Sequence, residues 1–288
     1  MILIEVIDAQ AARLQAAGVS FGHGTTNAFD EAAWLCLWSL KLPLDNLQDN
    51  ERLLVDAAQL SAIEILVSER IETRKPAAYL TREAWLQGVP FYVDERAIVP
   101  RSLVAELLAE GSFDAWLSDD LTRRALDLCT GNGSLAVLTA MTYPDVQVEA
   151  VDISADALAV AMINVANHAI PTLSTPYLSD LFSACTGEYD LIVCNPPYVN
   201  QTSMNALPAE YQAEPALALA GGADGMDIVR RILADAPRFM SAHGVLVLEI
   251  GNEYAHFCAA FPRLEAVWLD TSAGDDQVCL LTREALAI

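Results

Sequence analysis

The second part of the chain alternates between strand-like and helix-like segments, and this alternation restricts the fold more than any other feature. From Ser102 onward, short apolar runs are separated by longer segments in which apolar residues recur at helical spacing. Such a pattern is typical of a doubly wound, mostly parallel sheet with helices on both faces. It predicts strands at 124–129, 146–151, 175–178, 189–194, 244–250, 265–270 and 277–282, and helices near 102–110, 134–142, 154–168 and 226–240.

The connection between the last two predicted strands is short. Only residues 271–276 separate them, which is too few for a crossover helix, so these strands should be antiparallel neighbours. We therefore predict an α/β fold with a seven-stranded, mostly parallel sheet and an antiparallel last strand. This is the arrangement of Rossmann-like class I S-adenosylmethionine-dependent methyltransferases.

The first hundred residues have a different pattern. Residues 1–75 show apolar spacing typical of helices and no strand pattern, which predicts a small N-terminal helical domain. Residues 76–101 contain β-forming residues around the turn signal at 87–90, which predicts a β-hairpin linker. Residues 102–288 then form the predicted methyltransferase catalytic domain.

Composition limits the class of protein and its partners. The chain lacks an apolar run of about eighteen residues and an N-terminal leader, so we expect a soluble, cytoplasmic protein with no membrane association. The formal net charge of −23 should repel nucleic acid and attract a basic protein, although an ordinary acidic enzyme would also fit. Neither the six cysteines nor the four histidines show metal-ligand spacing, so no metal site is predicted.

The segment Asn195-Pro196-Pro197-Tyr198 follows the predicted strand at 189–194 and should lie where open α/β sheets bind ligands. The two prolines stiffen the turn and donate no backbone hydrogen bond, which leaves carbonyl acceptors beside an aromatic ring. Acceptors and a flat ring suit a planar amino group. We therefore predict that these four residues catalyse methyl transfer to an amide or base nitrogen; a turn that only ends a core strand is the structural alternative.

A glycine-containing loop follows the first predicted strand, at 127–134, and opens a helix. Asp152 ends the next strand, where it can bind both ribose hydroxyls, and Asp180 closes the third, where it can meet an adenine amino group. The loop lacks the third glycine of a dinucleotide site, and Asp127 would repel a diphosphate but attract an ammonium group. This pattern favours S-adenosylmethionine, with strand-end capping as the alternative. The predicted cofactor-binding residues are Asp127, Cys129, Thr130, Gly131, Asn132, Gly133, Asp152, Ile153, Asp180, Leu181 and Asn195.

These motifs give the chain a resemblance to a known family over nearly its whole length. It resembles the HemK/PrmB protein-(glutamine-N5) methyltransferases in the cofactor loop, in Asn195–Tyr198 and in the more specific Val99-Pro100-Arg101 and Glu214-Pro215 motifs. The segment His23-Gly24-Thr25-Thr26-Asn27 is similar to the PrmB branch. The loop departs from the family in carrying Asn132 where serine or threonine is usual.

The resemblance implies a function and a mechanism. The expected reaction transfers a methyl group from S-adenosylmethionine to a glutamine side-chain nitrogen of the third large-subunit ribosomal protein, a basic partner selected through residues 1–75. If Asn195 Oδ1 and the Pro196 carbonyl each accept one N–H, the nitrogen lone pair faces the methyl group, and Tyr198 packs on the flat amide. The alternatives are a peptide chain release factor glutamine methyltransferase, a nucleic-acid adenine-N6 methyltransferase and a non-catalytic factor that keeps the fold.

Overall fold

The N-terminal part is helical in the computed structural model, which describes residues 1–118 and 120–287. Its helices are α1 (Leu3–Ala16), α2 (Ala28–Ser39), α3 (Ala57–Thr73) and the short α4 (Ala77–Thr81). Polar side chains begin two of them: the Asn27 side chain accepts from Asp30 N in α2, and Asp56 and Gln59 form a capping box in α3. The three longer helices enclose a cluster of buried apolar residues drawn from residues 3–77.

A small hairpin follows these helices. Strands β1 (Ala84–Leu86) and β2 (Val89–Phe91) pair antiparallel around Gln87-Gly88, as the turn signal predicted. The preceding Tyr79 and Leu80, which we expected among the β-forming residues, instead lie in α4. Pro76 at the N-cap explains the difference, because its fixed φ suits the start of a helix.

The remaining described residues build a seven-stranded sheet, and this confirms the predicted α/β fold. Its strands are β3 (Arg124–Leu128), β4 (Gln147–Asp152), β5 (Tyr177–Leu178), β6 (Tyr189–Cys194), β7 (Met240–Glu249), β8 (Val267–Thr271) and β9 (Gly274–Thr282). They lie in the order β5-β4-β3-β6-β7-β9-β8. All neighbouring pairs are parallel except those formed by β9, which runs antiparallel to both β7 and β8.

The helices of this part of the chain connect or flank the strands in sequence. They are α5 (Val104–Glu110), α6 (Ser134–Thr142), α7 (Ala155–His168), α8 (Gln201–Ala206), α9 (Ala209–Gln212), α10 (Asp227–Asp235), α11 (Tyr254–Ala260) and α12 (Arg283–Leu286). Alternate residues of the central strands enter one or the other of two apolar clusters, one on each face. Within the described ranges, no helix combines the length and the apolarity that a membrane span requires.

One predicted helix is too long. The sequence pattern placed a helix at 226–240, but α10 ends at Asp235 and residues 236–238 form a single 3₁₀ turn. Pro237 lies in that turn and cannot donate the hydrogen bond that would continue the α-helix. The chain therefore enters β7 at Met240, which pairs with Tyr189 at the start of β6.

Candidate active site

A cavity of about 460 Å³ opens at the carboxyl ends of the central strands. The strand order reverses between β3 and β6, and ligands bind at such a switch point in open α/β sheets. Its volume lies within the range of small-molecule sites. The predicted site residues that line it are Cys129, Thr130, Gly131, Asn132, Asp152, Ile153, Asp180, Leu181, Asn195, Pro196, Pro197 and Tyr198.

The glycine loop is fastened to the end of β4 by Asp152. The Asp152 carboxylate accepts from Gly131 N at 2.9 Å and from Ser154 N at 2.8 Å. Burial raises the pKa of this carboxyl, although the backbone donors oppose the shift. Gly131 adopts φ of 55° and Cys129, unusually for a residue with a side chain, adopts φ of 64°. The loop is thus folded tightly, with a carboxylate at the cavity wall.

Asp127 and Gly133 do not line the cavity. Gly133 is the N-cap of α6, and Asp127 is fully buried beneath the loop. Asp127 Oδ2 accepts from Thr130 Oγ1 at 2.5 Å and from Ala136 N at 2.9 Å, while Oδ1 has no partner among the described residues. Burial raises the pKa of this carboxyl to about 7. Asp127 therefore holds the loop and keeps one acceptor unused.

Other residues at the cavity combine apolar and charged side chains. Ile153 lines it and is 52% exposed, although its side chain is large and apolar. Leu181 lines it as well, with φ of 49°. Both oxygens of Asp180 lie 2.8 Å from a guanidinium nitrogen of Arg231, so this carboxylate already has a partner that the sequence did not predict.

The segment Asn195–Tyr198 lines the cavity and contains acceptors without partners among the described residues. Asn195 and Pro196 line the cavity directly after β6. No described residue donates a hydrogen bond to the Pro196 carbonyl, and the Asn195 side chain makes no hydrogen bond to the described part of the chain. Backbone and side-chain oxygens in such a position remain available to a ligand's N–H groups.

Tyr198 is anchored by a residue on a neighbouring strand. Its hydroxyl donates to Glu249 Oε1 at 2.9 Å, while Glu249 Oε2 accepts from Ser102 Oγ at 2.6 Å and from Leu103 N at 2.9 Å. Burial raises the pKa of the Glu249 carboxyl against these donors. A Cβ at Gly251, whose φ is 52°, would lie 2.5 Å from Cε2 of the Tyr198 ring. Tyr198 therefore has a fixed position.

Several residues at this cavity were not among the predicted site residues. Arg101, Tyr211, Arg231 and Glu249 all line it. Arg101 stood in a motif that carried the family resemblance, yet the motif gave no indication of what the side chain contacts. For Tyr211 the sequence contains no local signal.

Comparisons with known proteins agree with this architecture. A sequence profile described as the methyltransferase small domain matches residues 108–213. Among solved structures, the catalytic domain of hMettl16 in complex with MAT2A 3′UTR hairpin 6 is similar, with a TM-score of 0.50 and 12% identity over 78% of this chain and 81% of that one. At this identity the likeness supports the fold alone.

Curated relatives match the chain from end to end. It is 56% identical to the ribosomal protein uL3 glutamine methyltransferase of Bordetella pertussis, over 99% of this chain and 96% of the relative. It is 51% identical to the protein of the same name from Burkholderia pseudomallei, over 93% and 90% of the two chains, and 47% identical to that from Neisseria gonorrhoeae, over 98% and 94%. These relatives confirm the resemblance found in the motifs: the chain belongs to the family of ribosomal protein uL3 glutamine methyltransferases.

Proposed function

We propose that this protein transfers a methyl group from S-adenosylmethionine to the side-chain amide nitrogen of a glutamine in ribosomal protein uL3. The observation that carries the proposal is the 56% identity to a uL3 glutamine methyltransferase over 99% of this chain. The unused acceptors at Asn195 and Pro196 support it, because a primary amide brings two N–H groups that need partners.

The residues at the cavity suit S-adenosylmethionine. The carboxylate of Asp152 can accept from two ribose hydroxyls, and the exposed side chain of Ile153 offers an apolar surface to a flat base. Asp127 does not line the cavity and supports the site from beneath, because its carboxylate accepts from Thr130 and Ala136 and so holds the glycine loop in place. When bound, the cofactor supplies an electrophilic methyl group.

The protein's own residues orient the substrate nitrogen. In an amide, the nitrogen lone pair is delocalised into the carbonyl, so the nitrogen is a weak nucleophile. Asn195 Oδ1 and the Pro196 carbonyl, by accepting its two N–H groups, hold the nitrogen in one orientation and stabilise the positive charge that develops during transfer. Tyr198, held by Glu249, limits the space beside the amide. No base is required before attack, because the nitrogen becomes acidic only afterwards.

We further propose that the partner is recognised by charge and by the N-terminal helical region, residues 1–75. The net charge of −23 favours encounter with a basic ribosomal protein and disfavours nucleic acid. Residues 76–101 link this region to the catalytic part, residues 102–288, and the reaction takes place in the cytoplasm.

Purified components test the proposal. The chain is incubated with labelled S-adenosylmethionine and either uL3 or a peptide chain release factor, and the products are mapped by tandem mass spectrometry. Asn195→Ala serves as the inactive control. We expect label on one glutamine of uL3. Label on the release factor alone would assign the chain a different substrate, and label on neither would contradict the proposal.

A further inference from the structure

Three separate sequence motifs meet at one buried carboxylate beside the cavity. Glu214, which is 4% exposed, accepts from both terminal guanidinium nitrogens of Arg101 at 2.7 Å and from Val99 N at 2.9 Å. His23 Nε2 lies 3.3 Å from Oε2 of the same carboxylate. Burial alone would raise the pKa of the Glu214 carboxyl, but the contacts with His23 and Arg101 outweigh burial and lower it to about 2.

Tyr211 packs against this cluster. Its ring centroid lies 4.3 Å from that of His23, and the Arg101 guanidinium lies 5.3 Å from the same centroid. Tyr211 therefore has an N-terminal residue as one neighbour and a residue of the segment before α5 as another. It also lines the cavity, together with Leu207 and the 58% exposed Leu217.

The N-terminal region also contacts the residue before Tyr211, Glu210. Glu210, which is 1% exposed, accepts at Oε1 from Ser20 N at 3.2 Å, from Arg74 at 3.2 Å and from the fully buried Arg70 at 3.4 Å. Arg70 also donates to Glu31 in α2 at 2.9 Å. Buried ion pairs add little stability over apolar packing, but they require one geometry. This network therefore fixes the position of Glu210 relative to the N-terminal helices.

We propose that Tyr211 is a positioning residue for the glutamine-bearing loop of the protein substrate, and that the N-terminal region acts on the reaction through it. This inference rests on the proposed function and extends it. Tyr211, Leu207 and Leu217 form an apolar wall that receives the aliphatic part of the incoming loop, while Asn195 and Pro196 receive the amide. The N-terminal motif around His23 thus sets substrate specificity by fixing this wall.

Gly22 allows this connection to be tested. A Cβ at Gly22 would lie 2.3 Å from the Tyr211 hydroxyl oxygen and 3.5 Å from Cζ. Gly22→Ala should therefore displace the ring, whereas in a Tyr211→Phe background the hydroxyl is absent and the alanine is in ordinary contact. The strain of placing alanine at φ of 128° is the same in both backgrounds and cancels in the double-mutant cycle. The Tyr211 hydroxyl has no hydrogen-bond partner among the described residues, so Phe preserves the wall.

The measurements are kcat and KM with uL3, and the Kd of S-adenosylmethionine by calorimetry. Tyr211→Leu should lower kcat/KM by about tenfold to a hundredfold through misplacement of the loop, with an unchanged cofactor Kd. Gly22→Ala should lower kcat/KM more in the natural chain than in the Tyr211→Phe background. Tyr254→Leu is the matched control, because Tyr254 is 39% exposed and does not line the cavity.

Three results would overturn the inference: normal kcat/KM in Tyr211→Leu, equal effects of Gly22→Ala in both backgrounds, or a loss of cofactor affinity that parallels the loss of turnover. Should Tyr211→Leu fail to fold, the Gly22 cycle decides alone. Absence of transfer by the natural chain would contradict the proposed function and this inference with it. If the natural chain transfers the methyl group normally but the effects of Gly22→Ala and Tyr211→Phe on kcat/KM are additive, only this inference is contradicted.

Discussion

Replacing Asp127 by asparagine should change how stability depends on pH. The raised pKa of about 7 lies above the usual 3.8, so the folded state holds this proton more tightly than the unfolded state. The stability that comes from this tighter binding of the Asp127 proton is therefore fully present at low pH and is lost as pH rises towards 7. Between about pH 5 and pH 7 the Asp127 carboxyl is ionised in the unfolded state and still protonated in the folded state. Over these two pH units the free energy of unfolding should fall by about 3 kcal/mol.

The asparagine variant lacks this titration but introduces a different cost. Its amide oxygen can still accept from Thr130 and Ala136, while its NH₂ group puts two buried N–H donors where neutral Asp127 has a single O–H. The additional unsatisfied donor costs about 1–3 kcal/mol. Near pH 5 the variant should be less stable than the natural chain. Towards pH 8, where Asp127 is charged and buried, the difference should vanish or change sign.

Urea unfolding without cofactor, followed from pH 5 to pH 8, measures this difference. All other groups titrate in both proteins, so the difference between the two curves isolates Asp127. Asp156→Asn is the matched control, because Asp156 is exposed in the first turn of α7, and its curve should run parallel to that of the natural chain. If the Asp127→Asn curve also ran parallel, burial would not have raised the pKa of the Asp127 carboxyl.

Three further substitutions test the roles at the cavity. Asn195→Ala should leave the cofactor Kd nearly intact and lower kcat by about a hundredfold or more, since one of two acceptors for the substrate amide is lost; normal turnover would exclude this role. Asp152→Ala should weaken cofactor binding by about tenfold to a hundredfold in calorimetry, through the loss of charge-assisted hydrogen bonds, and an unaltered Kd would remove Asp152 from the cofactor site. Gly251→Ala should lower kcat by about tenfold or more, because its Cβ would lie 2.5 Å from the Tyr198 ring; equal kcat would show that the ring position is unimportant.

The sheet could be predicted from the sequence because its signals are local. Each strand is a short apolar run with a turn signal at its end, and the six residues between the last two strands decide their antiparallel pairing. The two errors are local as well. Pro237 ended α10 before the predicted boundary, and Pro76 began a helix where β-forming residues suggested a strand.

The partners of the site residues could not be predicted in the same way. Asp180 and Arg231 are 51 positions apart, and Tyr198 and Glu249 are also 51 apart, so these contacts depend on how the sheet brings strand ends together. The cluster around Tyr211 is a stronger example. His23 and Glu214 belong to motifs 191 positions apart, and only the packed structure shows that the His23 ring contacts the Glu214 carboxylate.

The proposed function requires that this chain methylate one glutamine of uL3, with Asn195 and Pro196 as the acceptors for the amide. The most direct measurement is tandem mass spectrometry of uL3 from ribosomes of a strain that lacks the gene, complemented with the natural chain or with Asn195→Ala. We expect a single glutamine of uL3 to carry one added methyl group with the natural chain and none with the variant. A uL3 that remains unmethylated in both strains, or is methylated equally in both, would contradict the account.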